Sequence, residues 1–119
     1  MPITSFTQLD VWKKAHQATL EIYRITRGFP DDERYGLSSQ MRRASVSIGG
    51  NIAEGFGRMK PPDKARFYTI SQGSAEELRY YLILAKDLDY LKNGTALSAT
   101  LDDVCRMLRR LIQSTVRDS

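Results

Sequence analysis

The chain has 119 residues, with 18 Lys or Arg against 14 Asp or Glu, for a net charge of +4. Hydrophobic residues make up 41% and charged residues 27%, which excludes a disordered chain and suffices for one domain around one core. A single cysteine and a single histidine exclude an internal disulfide and a His/Cys zinc site built by one chain, and the longest apolar run, Tyr80 to Ala85, is far too short for a membrane span.

The N-terminal residues show neither a basic start nor an apolar core, so no secretory signal is read there and a cytoplasmic location is expected. Four stretches then carry helical period. In the first, Val11, Ala15, Ala18, Ile22 and Ile25 step by four and three along one face, with Thr7 and Asp10 as the expected cap. Gly28, Phe29 and Pro30 end it. The second runs from about 38 to 56, with Met41, Ala44, Ile48 and Ile52 on one face. Gly49-Gly50 lies inside it at a cost of about 1 kcal/mol per glycine relative to Ala. With Ala44, Ser45, Ser47 and Ala53 also small, a close neighbouring helix is expected there.

The third stretch, about 63 to 91, is the longest. Its expected stripe is Phe67, Ile70, Ser74, Leu78, Tyr81, Ala85 and Leu88. Pro61 and Pro62 suit its start, and Asn93-Gly94 is read as its stop. The fourth, about 97 to 116, carries Leu101, Val104, Leu108, Leu111 and Ile112, with Thr95 or Ser98 as cap. No stretch alternates with period two, so no strand is expected. Short links between such helices place neighbours antiparallel. The reading is an all-α, antiparallel up-down-up-down four-helix bundle over residues 1–119, roughly 30 Å long for helices of about 20 residues.

Residues 80 to 85 are apolar all round the helix, and a bundle helix needs only one buried stripe. The second face is expected to meet another copy of the chain, with Trp12, Tyr80, Tyr81 and Leu82 at the interface. Trp12, Thr19 and Tyr23 form a similar second row on the first helix. The plainer alternative leaves the tyrosines half-exposed on a rim.

Catalytic patterns are missing. There is no Gly-rich phosphate loop and no Gly-x-Ser-x-Gly elbow. His16 reads as a surface residue and Cys105 as a small packed thiol. Asp31-Asp32-Glu33 and Asp102-Asp103 read as solvated or helix-dipole charge. A single histidine cannot supply the paired Glu-x-x-His of a di-iron bundle. No enzyme, metal or cofactor is expected.

The basic residues point to a partner. Arg42 and Arg43 lie in the second helix, and Arg58, Lys60, Lys64 and Arg66 gather around the turn into the third. Arg106, Arg109 and Arg110 follow on the fourth. These residues and a pI of about 9.4 fit nucleic-acid phosphates. The competing reading is that helical arginines pair with nearby acids.

Phe29-Pro30, Glu33, Tyr35-Gly36-Leu37, Gln40 to Ala44, Ser47-Ile48 and Asn51 to Gly55 form a long motif, flanked by Leu9 to Trp12, Gly73-Ser74 and Leu88 to Leu91. The run resembles the four-helix-bundle proteins encoded in intervening sequences of bacterial 23S rRNA genes, a family that also includes the accessory variability proteins of diversity-generating retroelements. The resemblance implies a pentameric assembly and, for retroelement members, binding of a reverse transcriptase and nucleic acid through basic surfaces. On it, Arg42, Arg43 and Arg58 become nucleic-acid contacts, and Asn51 and Glu54 become hydrogen-bonding groups between helices or subunits. Repeating a basic patch on five copies strengthens each weak contact. The expected function is therefore non-enzymatic nucleic-acid binding by an oligomer. The alternative is a scaffold that docks a protein such as a reverse transcriptase.

Overall fold

A 3-10 turn, Phe6–Gln8, leads into the first helix. In this computed structural model, which describes residues 2–118, Ser5 rather than Thr7 caps the entry. Its Oγ accepts from the Thr7 N–H at 3.2 Å, and Gln8 Oε1 accepts from the Ser5 N–H at 3.0 Å. Helix α1 spans Asp10–Thr26 and buries Val11, Ala15, Ala18 and Ile22. Phe29 leaves the helix end for the core and packs on the Tyr90 ring at 5.4 Å.

Helix α2, Leu37–Gly57, runs unbroken through Gly49-Gly50. Met41, Ile48 and Ile52 are fully buried on it. Burying one such side chain contributes about 1.5–3 kcal/mol, which outweighs about 1 kcal/mol for each glycine. The expected close approach lies elsewhere. A Cβ on Gly49 would meet only the edge of Trp12 at 3.4 Å, and one on Gly50 would meet nothing within 4 Å. At Gly55 it would sit 2.6 Å from the Tyr68 ring and 3.1 Å from the Lys64 carbonyl. Gly55, in the last turn of α2, is therefore the point where α2 and α3 cross.

Helix α3, Pro61–Asp87, starts on its two prolines. Its buried line is Tyr68, Ser71, Ala75, Leu78, Leu82 and Ala85. Only Leu78 and Ala85 belong to the expected stripe; Ile70 and Leu88 face outward. The reason is steric and polar together. Small residues let α2 come close, and Ser71 Oγ donates to the Ile48 carbonyl at 2.7 Å. The helix stops before Asn93-Gly94. Asp89 takes a left-handed φ of 62°, the Tyr90 N–H reaches the Ala85 carbonyl at 2.9 Å, and the Asp89 N–H reaches that of Lys86 at 3.0 Å. Together these form a Schellman cap with aspartate in the place usually held by glycine.

Helix α4, Thr95–Arg117, buries Leu97, Leu101, Val104, Cys105 and Leu108. Neither Thr95 nor Ser98 caps it; Asn93 Oδ1 accepts from the Thr95 N–H at 3.2 Å. The described residues are thus four helices and two 3-10 turns with no strand. Each helix packs against two others, α1 and α3 on α2 and α4, around one core. From α1 to α2, Trp12 meets Gly49, Thr19 Oγ1 donates to the Ser45 carbonyl, and Arg42 Nε donates to Thr26 Oγ1. The body measures 45 × 24 × 21 Å, longer than expected because α3 alone runs for roughly 40 Å.

Two groups assigned to a second copy turn inward. Leu82 is 3% exposed in the core of its own chain and has no surface to offer. Trp12 is half-buried between Gly49 and an edge-on Phe6, and Thr19 and Tyr23 also face α2. The outer face of α3 does remain open, with Tyr80 57% and Ile83 59% exposed and Tyr81 half-buried beside them.

Gly55→Ala is expected to lower stability by about 1–3 kcal/mol, because a buried ring and a backbone carbonyl must both give way. Gly50→Ala is expected to raise it by about 0.5–1 kcal/mol. Urea unfolding of the two variants checks both signs.

Candidate nucleic-acid interface

The six basic residues expected to touch nucleic acid separate into two groups. Arg43 lies in α2 and Arg58 just past its end, 15 positions on and roughly 22 Å along the helix axis. At the far group, Lys64 is committed to the fold. Its Nζ donates to the Phe56 carbonyl at 2.7 Å and the Gly55 carbonyl at 3.3 Å. A cation there meets the negative end of α2 and its unpaired carbonyls. Arg58 pairs with Glu54 at 3.2 Å, and the guanidinium groups of Arg58 and Arg66 each lie 4.6 Å from the Phe67 ring. Lys60 is exposed.

Near the start of α2, the chain folds three segments together. Tyr23 comes from the last turns of α1, Arg34 and Tyr35 from the turn before α2, and Ser39, Arg42 and Arg43 from α2 itself. They line an open cleft of about 650 Å³. Arg42 forms one wall. Its guanidinium lies 4.7 Å over the Tyr23 ring while its Nε donates to Thr26 Oγ1 at 2.9 Å. Thr26 in turn donates to the Ile22 carbonyl at 2.7 Å, so Arg42 is fixed by a hydroxyl that is itself fixed. Arg34 and Arg43 make no ion pair among the described residues, and no carboxylate lines the cleft. A narrower cleft of about 280 Å³ adjoins it and shares Arg34, Ser39 and Arg42, with Arg27 and Asp31 added.

Other basic residues are neutralised nearby. Lys14 bridges to Asp103 at 2.7 Å, Arg79 reaches Glu76 at 2.8 Å and Asp102 at 2.9 Å, and Arg106 pairs with Asp103. Arg109 and Arg110 lie exposed on α4. The cleft thus gathers three arginines that make no ion pair among the described residues, with the Asp31 carboxylate on the cleft that adjoins it. Sequence reasoning found Arg42 and Arg43 but missed Arg34 and Tyr35. The only local sign was an aromatic beside a basic residue in an otherwise polar turn.

Asn51 and Glu54 bond within the chain. Asn51 Nδ2 donates to Ser47 Oγ at 3.0 Å, and Ser47 Oγ lies 2.7 Å from Ser74 Oγ, which ties α2 to α3. His16 stacks flat on Trp12 at 4.9 Å. Burial and the neighbouring Glu76 carboxylate push the Cys105 thiol up to about 11. Glu76 is held below its ordinary value by that thiol and by Arg79. Among the described residues no three His, Cys, Asp or Glu side chains gather as metal ligands, and no helix is long and apolar enough to cross a membrane.

The helices and the cleft define an all-α four-helix protein with a basic surface site and a polar seam between its second and third helices. Residues 7–110 match the family described as 23S rRNA-intervening sequence protein, and the chain belongs to that family. A crystal structure from Bacteroides thetaiotaomicron, described as a protein with unknown function from the S23 ribosomal protein family, has a similar fold. The TM-score is 0.79 at 21% identity, covering 86% of this chain and 97% of that one. No curated protein matches the chain.

The raised thiol pKa predicts that the folded protein resists alkylation. At pH 8 the thiolate fraction falls roughly 100-fold for two units of pKa, and burial slows attack further. Labelling of Cys105 at the rate of a free thiol would contradict this. A group whose pKa rises on folding favours the fold below its ordinary pKa. The wild-type advantage over Cys105→Ala should therefore shrink as pH climbs from 9 to about 11.

Proposed function

We propose that this chain is a non-enzymatic nucleic-acid-binding protein of the cytoplasm that acts as a homo-oligomer of antiparallel, up-down-up-down bundles. The observation that carries the reading is the cleft of Arg34, Arg42 and Arg43 with no lining carboxylate. Guanidinium groups without acid partners attract phosphates and displace their counterions on binding. The Arg58, Lys60 and Arg66 cluster, roughly 22 Å along α2, is a second contact that a strand of nucleic acid can span. Five copies, the number implied by the resemblance, would multiply both contacts on one particle.

The outer face of α3 favours a second reading, a scaffold that docks another protein such as a reverse transcriptase. Tyr80 and Ile83 are more than half exposed there. The first use assigned to that face is contact between copies. The interface residues carried forward are Tyr80 and Tyr81, while Leu82 is excluded by its burial.

Two measurements test the proposal. Arg34→Gln with Arg43→Gln is expected to weaken binding to labelled RNA or DNA by roughly tenfold or more near physiological salt. The slope of log affinity against log salt should flatten by about two. Unaltered binding would rule out the cleft as the site. Tyr80→Asp with Ile83→Asp is expected to lower the solution mass to that of a single chain while helical content stays unchanged. An unchanged mass would remove α3 from the interface.

A further inference from the structure

We infer that the cleft selects an unpaired nucleotide, with Tyr35 as the platform on which its base stacks and Arg34 and Arg43 as the contacts to the flanking phosphates. The inference rests on the nucleic-acid reading above and names its substrate class as single-stranded RNA or DNA.

Tyr35 is 88% exposed and plays no part in the core. The two tyrosines of the cleft differ in how they are used. Tyr23 is already covered by the Arg42 guanidinium at 4.7 Å, whereas Arg34 stands 5.6 Å from the Tyr35 ring, near the outer limit for such a contact. Tyr35 therefore has a face to give. Arginines alone suffice to hold the backbone of a duplex, but a duplex keeps its base faces stacked inside. An open aromatic face beside unpaired guanidinium groups suits a strand whose bases are free to turn outward. The cleft volume of about 650 Å³ falls in the range that holds a small ligand, and Ser39 adds a hydroxyl to its wall.

The platform is mounted rigidly. The Gly36 N–H donates to the Glu33 carbonyl at 3.0 Å. The Glu33 carboxylate accepts from the Leu37 N–H at 3.2 Å and from the Tyr90 hydroxyl at 2.8 Å. A Cβ on Gly36 would lie 2.6 Å from Glu33 Oε1, so a side chain there would push the Glu33 carboxylate aside. None of these contacts uses the Tyr35 side chain. It can be removed without disturbing the turn, and the backbone that carries it is fixed before a ligand arrives.

The test is fluorescence anisotropy with short labelled single-stranded RNA, single-stranded DNA and a DNA duplex, using wild type, Tyr35→Ala, Tyr35→Phe and the Arg34→Gln/Arg43→Gln chain. Tyr35→Ala is expected to weaken single-strand binding roughly tenfold while duplex binding stays the same, and Tyr35→Phe to retain single-strand binding. The RNA and DNA arms report which sugar is favoured. Unchanged single-strand affinity in Tyr35→Ala, alongside a loss in the double arginine variant, overturns the stacking inference and leaves the nucleic-acid reading standing. Wild-type binding as tight to the duplex as to single strands overturns it in the same way. A change in solution mass for Tyr35→Ala would make the ring a contact between copies and also overturn it. Failure of the wild type to bind any probe removes both readings.

Discussion

Gly55 lies under the ring of Tyr68, and two helices come that near only where one of them carries no side chain. The same seam continues along α2 and α3 through Ser71 on the Ile48 carbonyl and Ser47 against Ser74. Each pairing replaces apolar bulk with a short hydrogen bond. A buried hydroxyl that finds a carbonyl loses little by leaving water, and one left unpaired would cost about 1–3 kcal/mol. Along α3 the buried line combines these small groups with Tyr68, Leu78 and Leu82, and apolar residues off that line have no place inside. Ile70, Tyr80 and Ile83 face outward as a consequence, so the surface available for partners is a by-product of how closely two helices approach.

The positive charge of the chain divides along similar lines. Some cations are components of the fold. Lys64 closes the end of α2, Arg42 joins α2 to the last turns of α1, and Lys14 joins α1 to α4. Others make no ion pair among the described residues, and Arg34 and Arg43 meet in a cleft that no carboxylate lines. A count of basic residues cannot distinguish these classes, because both are lysines and arginines on helical faces. Position relative to a helix end, or to an acid one turn away, decides between them.

Periodicity made most of the architecture legible. The faces of α1, α2 and α4 repeat apolar residues every three or four positions and pack on the core as read, with Ile25, Leu111 and Ile112 only half-buried at its edge. The long motif around residues 29–55 also made the family legible. The buried face of α3 was not, because the reading favoured its bulky residues and the fold selected Ser71 and Ala75. Its end was misjudged too, since aspartate at 89 adopts a conformation more often left to glycine. The candidate site was legible only in its α2 portion. Tyr23, Arg34 and Tyr35 come from separate segments, and only packing shows that they share a cleft with Arg42 and Arg43. Lys64 looked like a free cation because nothing in its spacing shows two carbonyls waiting across the turn.

The hydrogen bond from Tyr90 to Glu33 spans 57 positions of chain, with α2 and α3 lying between its ends. A contact of such separation carries a large loop-closure cost, which the packing of α3 on α2 reduces. On a ribosome the consequence is one of timing. The side chains of the cleft have all been made by residue 47, yet the turn that carries Tyr35 gains this anchor only when residue 90 has emerged. A nascent chain would thus display its arginines well before the turn that carries Tyr35 is fastened by Tyr90.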